Sequence, residues 1–221
     1  MIRIVHKFVH RHLDPVDRLG EVLFGLIMAL GFTAAVRLGH EEANSRELFV
    51  GILGCNVAWG IVDGVMYVLA ALFERGREAQ MVREVLQAPS DEAAHARVES
   101  HLDGPVVALA TDEERKRFAD WFVRAARRTG AHSVRIRAAD LLGGAAVGIV
   151  IMMATAPMLL PYLLVADPHL AVRLSNTIGL AMLFGVGVVW GRNTGTGAVR
   201  VGLGVTLVGG ALVAVTVALG G

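Results

Sequence analysis

Residues Leu48–Phe73 read LFVGILGCNVAWGIVDGVMYVLAALF, and Asp63 is the one charged side chain in the run. An unbroken apolar run of about 18 or more residues is what a bilayer-spanning helix requires. Lipid offers backbone N–H and C=O groups no partners, so a spanning segment must satisfy them internally. Barrel strands need only about 9–11 residues and alternate in polarity. This run is too long and too evenly apolar for one, and the reading is an α-helix.

Four further runs of the same kind flank it. Leu19–Leu38 is interrupted by Glu21 and closes near Arg37. Leu141–Val165, Ala171–Gly191 and Ala198–Leu219 follow a long charged stretch. The expected fold is therefore all-α: a polytopic membrane protein with five transmembrane helices and a helical cytoplasmic insertion between the second and third. In segments, residues 1–18 form an amphipathic cytoplasmic leader and 19–73 the first two spans. Residues 74–140 form the cytoplasmic helical domain, and 141–221 the last three spans.

Composition agrees. Of 221 residues, 54% are hydrophobic and 19% charged, against about a quarter charged in an ordinary globular domain. The net charge of +1 gives no global field for nucleic acid, which is not an expected partner; the lipid bilayer is. Cys55 is the single cysteine and has no intrachain partner. Arg3, Lys7, Arg11 and Arg18 interrupt the N-terminus before any long apolar core, so no cleavable signal peptide is expected. No phosphate loop, nucleophile triad or paired-cysteine metal motif occurs, so neither enzymatic activity nor a bound cofactor is expected.

Basic residues set the orientation. They crowd the leader and the 74–140 segment, from Arg75 through Arg115, Lys116 and Arg117 to Arg137. The first short connection carries only Arg46 beyond Arg37, and the one after the third span only Arg173. Arg192 and Arg200 lie in the next, and the C-terminal end has none. Lys and Arg concentrate on the cytoplasmic side, so the N-terminus and the insertion are placed inside and the C-terminus outside, in an inner bacterial membrane.

Within the insertion, the second span is expected to continue as a helix through Glu74, Glu78, Met81 and Glu84 to Pro89. Ser90 can cap a short helix from Asp91 to about Leu102, which Gly104-Pro105 ends. Thr111-Asp112-Glu113-Glu114 has capping-box spacing for a helix stopping near Gly130. That helix is expected to gather Phe118, Trp121, Phe122 and Ala125, with Arg117, Arg124 and Arg128 around them, as a cap against anionic head groups.

The residues that could carry chemistry lie mostly in the spans. An ionisable group at mid-membrane costs about 2.5–3.5 kcal/mol on insertion scales, so Asp63 must face other helices or water. Asn56, Trp59, Gly60, Asp63, Met66 and Tyr67 share its helix face. Two readings stay open, an ion pathway and a hydrogen-bonded contact between helices. Glu21 lies near the cytoplasmic end of the first span, where it can reach water. Pro157 and Pro161 each free a backbone carbonyl. His6 and His10, one turn apart, and His12 sit on an N-terminal helix whose Ile2, Val5, Phe8 and Val9 can meet lipid.

The run Asn56-Val57-Ala58-Trp59-Gly60-Ile61-Val62-Asp63-Gly64, continuing to Leu69 and Glu74-Arg75, resembles the second span of the vacuolar iron transporter family. Leu160-Pro161-Tyr162-Leu163-Leu164 resembles the end of that family's third span, and Ala214-Val215-Thr216 echoes its last. The layout is similar over most of the chain, as for a divergent, bacterial-like member. The resemblance implies a homodimer and proton-coupled export of ferrous or manganous ions from the cytoplasm. It departs where the family places its ligands. The family's first-span aspartate aligns with Phe24, leaving Glu21 one turn earlier as a stand-in. Its second-span aspartate is Trp59, its methionine Asp63 and its later glutamate Tyr67. Of the acidic cytoplasmic pairs, Glu74 and Glu78 remain. The candidate metal ligands are thus Glu21, Asn56, Asp63, Met66, Glu74 and Glu78, with oxygen donors for a hard cation. Gly60, Gly64, Gly144 and Gly148 permit the close helix approach expected of a homodimer. The alternative function is a non-transporting membrane scaffold whose cytoplasmic helices bind a partner.

Overall fold

The computed structural model describes residues 9, 13, 15–38, 45–102 and 109–219. The N-terminal histidines and the Gly104-Pro105 break lie outside them. Seven helices are seen among the described residues: α1 Pro15–Leu38, α2 Ser45–Leu86, α3 Asp91–Ser100, α4 Asp112–Thr129, α5 Ala138–Leu164, α6 Pro168–Asn193 and α7 Ala198–Ala218. No strand occurs among these residues. Four helices are long and apolar enough to cross a membrane: α2, α5, α6 and the Ala198–Val215 stretch of α7. In α1, Asp17, Arg18 and Glu21 precede the apolar stretch. The chain divides into two compact units, Met1–Tyr67 with Ala138–Gly221, and Val68–Arg137.

The first unit is apolar outside as well as inside, with a few polar side chains buried in its core. Val57, Ile61, Val65, Met66 and Leu69 of α2, and Leu203, Leu207 and Val208 of α7, are exposed. Thr33, Asn56, Thr155 and Ser175 are buried among Leu26, Ile52, Ile151, Met158 and Leu183. In water such an apolar exterior would drive aggregation; against lipid it is the favourable arrangement. Pro157 and Pro161 lie inside an unbroken α5. The Thr155 hydroxyl donates back to the Ile151 carbonyl at 3.1 Å, a local bond that keeps a hydroxyl satisfied in apolar surroundings.

Glycine determines how closely these helices approach. A Cβ on Gly60 would lie 3.2 Å from the Gly148 Cα, and one on Gly64 only 2.7 Å from the Gly144 carbonyl oxygen. The backbones of α2 and α5 therefore touch directly. This corrects the sequence expectation for the four glycines: their bare faces are already occupied within one chain, so they are not free to join two copies. The Tyr67 ring lies where a side chain on Gly143 would be. Gly187 and Gly202 bring α6 against α7 in the same manner, across a turn where Gly195 adopts a left-handed φ of 68°. At the far end of α1 the Phe32 ring fills the notch over Gly51, and the Thr33 hydroxyl donates to Asn176 Oδ1 at 2.7 Å.

The second unit comprises the charged end of α2 with α3 and α4. As expected from sequence, α2 continues past Phe73, reaching Leu86. Ser90 caps α3 by accepting from the Ala93 N–H at 3.2 Å. The small core is Val85, Ala94, Val98, Ala119, Val123 and Ala126. Ion pairs surround it, Arg97 with Glu84 at 3.5 Å and Arg127 with Asp91 at 2.6 Å, and His95 Nε2 contacts Asp120 Oδ1 at 2.5 Å. The α4 aromatics gather as expected: Phe118 meets Trp121 and Phe122, with ring centroids 5.6 and 6.3 Å apart, and Phe118 and Trp121 are exposed. The buried face is the alanine–valine one, because small side chains let α3 and α4 approach closely.

Thr111 begins α4 with a complete capping box. Its N–H and hydroxyl both reach Glu114 Oε2 at 2.8 Å, and the Glu114 N–H returns a bond to Thr111 Oγ1 at 3.3 Å. The backbone N–H and then the hydroxyl of Thr111 hold the Glu114 carboxyl below its ordinary range, and the Arg127 guanidinium does the same for Asp91. A depressed carboxyl stabilises the fold above its unfolded pKa, and that contribution fades as pH falls through the folded value. Thr111→Ala should cost about 1 kcal/mol locally. Amide exchange in the first turn of α4 should accelerate by about fivefold for that loss. The wild-type first turn should loosen in the same way below about pH 4.

Candidate functional site

Asn56 is the most deeply buried amide side chain on α2, at 1% exposure. Its Nδ2 donates to the Ile52 carbonyl one turn earlier, at 2.9 Å. A carbonyl can only accept, so this bond fixes the amide orientation and leaves Oδ1 pointing away from it. Oδ1 has no hydrogen-bond partner. A buried acceptor without a donor costs about 1–3 kcal/mol, so its retention favours a ligand that donates to it.

Asn56 also borders a small, almost wholly apolar cavity of about 80 Å³ lined by Phe24, Gly25 and Met28 of α1, Asn56, Trp59 and Asp63 of α2, and Ile151 of α5. Asp63 follows Asn56 by two helical turns, which puts both on one face. Gly25 admits α1 to this place, since a Cβ there would meet Thr155 Cγ2 at 3.3 Å and the Ile151 carbonyl oxygen at 3.4 Å. Glu21 lies one turn before Gly25 on α1. Its carboxylate interacts electrostatically with Asp63 and Asp17, and its Oε2 is shielded from solvent without a partner. Asn56, Asp63 and two aromatic residues thus border one cavity whose surface is almost wholly apolar, and the Glu21 carboxylate stands within electrostatic reach of Asp63.

No protein-family model and no curated protein matches this chain. The resemblance to vacuolar iron transporters rests on the residues quoted above.

The structure brings three of the six sequence-predicted ligands into one neighbourhood: Asn56 and Asp63 in the cavity wall, and Glu21 beside it. Met66 is not among them. It is 57% exposed and absent from the cavity lining. Glu74 and Glu78 line a separate cavity of about 340 Å³ in the second unit, with Arg77, Gln80, Met81, Glu84 and His101. Two of its carboxylates have polar partners. Glu74 lies 3.6 Å from Arg77, and Glu84 accepts from Gln80 at 3.1 Å. Among the described residues, no cluster of three or more His, Cys, Asp or Glu side chains suits a metal ion.

Gly25, Met28 and Ile151 are the lining residues that sequence reasoning missed. Glu21, Phe24, Gly25 and Met28 follow the i, i+3, i+4, i+7 rule of one helix face, so the signal was present once Glu21 had been singled out. Two positions where the resemblance puts aromatic residues in place of family ligands, Phe24 and Trp59, do line the cavity.

Proposed function

We propose that this chain is a five-span transporter that moves cations through the site at Asp63. The leader and the 74–140 segment lie on the cytoplasmic side and the C-terminus outside. The observation that carries this reading is the unpartnered oxygen of Asn56, a residue only 1% exposed that borders the same cavity as Asp63. A carboxylate and a bare acceptor within a membrane segment are costly, and a transiently bound cation offsets both. Leu19–Leu38 of α1 supplies the fifth span, since its length of about 30 Å matches the hydrocarbon thickness.

The resemblance adds the substrate class, a divalent metal (ferrous or manganous), and proton-coupled export by a homodimer. Purified protein in sealed vesicles, assayed for iron, manganese, cobalt and zinc uptake, tests the cation reading; flux at the level of empty vesicles for every ion would overturn it. The scaffold reading has one observation in its favour, the exposed Phe118–Trp121 pair on the arginine-rich α4. Protein that moves no ion but retains a partner through α4 would establish it.

Topology gives a separate expected result. A reporter fused after Leu219 should respond as external, and one inserted near Gly104 as cytoplasmic. Equal responses would require an even number of spans between them. Mass measurement in nanodiscs should give a dimer, and monomer alone at micromolar concentration would refute it.

A further inference from the structure

We propose that α4 docks on an anionic lipid surface through the face that carries Phe118, Trp121, Arg124 and Arg128. The inference is independent of whether the chain moves ions. Two faces of α4 have different fates. Ala119, Val123 and Ala126 are buried in a core with Ala94 and Val98 of α3 and Val85 of α2. On another face Phe118 and Trp121 meet, with ring centroids 5.6 Å apart, and both are exposed. Phe118, Trp121, Ala125 and Arg128 recur at helical spacing, which keeps them on one face. Large apolar side chains left outside a completed core and rimmed by charge mark an interaction surface.

The charges beside the aromatic pair select the occupant. Three arginines of α4 are engaged within the unit. Arg117 pairs with Glu113 and Arg127 with Asp91, each at 2.6 Å, and Arg115 donates to the Ala110 carbonyl at 3.2 Å. Among the described residues, Arg124 and Arg128 have no such partner, and both are exposed. Acidic residues fill the first turn of α4 and basic ones the last, so its C-terminal half is the end that an anionic surface attracts. That end is also tethered. From Thr129 to Ala138, where the membrane-length helix α5 begins, the chain can extend over at most about 30 Å. Head groups are therefore at high effective concentration, whereas a soluble partner must arrive from solution. Val134 and Ile136 of the tether are exposed as well. Tryptophan and phenylalanine bordered by arginine are side chains that settle at the head-group level.

Spin labelling of the full chain tests the proposal. Cys55→Ser removes the native thiol, and Ala125→Cys places a label on the docking face, with Lys116→Cys as a control on a different face. Each protein is reconstituted in phosphatidylcholine vesicles with or without phosphatidylglycerol. With phosphatidylglycerol, the label at position 125 should become accessible to oxygen and protected from a water-soluble nickel chelate, while the label at 116 stays in water. High salt should release the docked face by shortening the range of the attraction. Joint Arg124→Gln and Arg128→Gln should lower the docked-to-free ratio about twenty-five-fold, at about fivefold for each arginine. Joint Phe118→Ser and Trp121→Ser should abolish protection, and a melting curve on each variant verifies the fold. If Ala125→Cys does not fold, quenching of Trp121 by brominated phosphatidylglycerol reads the same contact, with Trp59 and Trp190 replaced by phenylalanine. A label at 125 equally open to water in both lipids would overturn the proposal. So would protection that needs no anionic lipid and grows with protein-to-lipid ratio, which would make the face a contact between copies.

Discussion

Replacing Asp63 by asparagine is expected to reduce cation flux at least about thirtyfold while leaving the protein folded and inserted. Two unit charges 4 Å apart attract by about 4 kcal/mol at an effective dielectric of 20. Asp63 is only partly buried, so half that figure is the safer estimate, and about 2 kcal/mol corresponds to about thirtyfold. Asparagine preserves the shape and one acceptor but removes the charge. It also removes an insertion penalty, so the melting temperature should stay level or rise. If Asp63 served only as an interhelical contact, flux would persist. Such hydrogen bonds average about 0.6 kcal/mol in membranes, and Asp63→Leu would then be the more damaging change. Vesicle flux and a melting curve for both variants decide between these roles, and full flux in Asp63→Asn would end the pathway reading at this residue.

Enlarging Gly64 should strongly destabilise the first unit. Even alanine would put a Cβ 2.7 Å from the Gly144 carbonyl oxygen, and backbone cannot move aside as a flexible side-chain tip can. Overpacking typically costs about 1–3 kcal/mol, with Gly64→Ala within that range and Gly64→Leu at or beyond its upper end. Gly54 is the control, because a Cβ there would meet nothing within 4 Å. Gly54→Ala should leave the melting temperature unchanged or slightly raised, since alanine favours helix by up to about 1 kcal/mol. Equal melting temperatures for Gly64→Ala and Gly54→Ala would refute the direct α2–α5 contact.

The helices were legible in sequence because the bilayer imposes a simple rule on length and polarity. Leu141–Val165 became Ala138–Leu164, and Ala171–Gly191 became Pro168–Asn193. The caps at Ser90 and Thr111 were legible for a similar reason, since each is a local bond between residues three apart. Partner choice was not. Gly60, Gly64, Gly144 and Gly148 announce a close approach between helices, but spacing carries no information on whether the other helix belongs to the same chain. Nor does apolar periodicity reveal that α4 buries Ala119 and Val123 while exposing Phe118 and Trp121, because large and small residues are equally apolar in such a pattern. Asn56 and Asp63 were found by being polar where polarity is expensive. Met28, apolar among apolar neighbours, gave no such signal by itself.

The cavity walls are packed against one another at several levels. The contribution of α2 is fixed to that of α5 by backbone-on-backbone contact at Gly60–Gly148 and Gly64–Gly144. The third wall is α1, held near its far end by Phe32 in the Gly51 notch and by the Thr33–Asn176 hydrogen bond. One to two turns earlier Leu26, Ala29 and Leu30 are buried, and Gly25 lies against Thr155 and Ile151 of α5. A helix seated in this way has no free arm, so the space beside Asn56 and Asp63 can widen only if packed side chains are displaced with it.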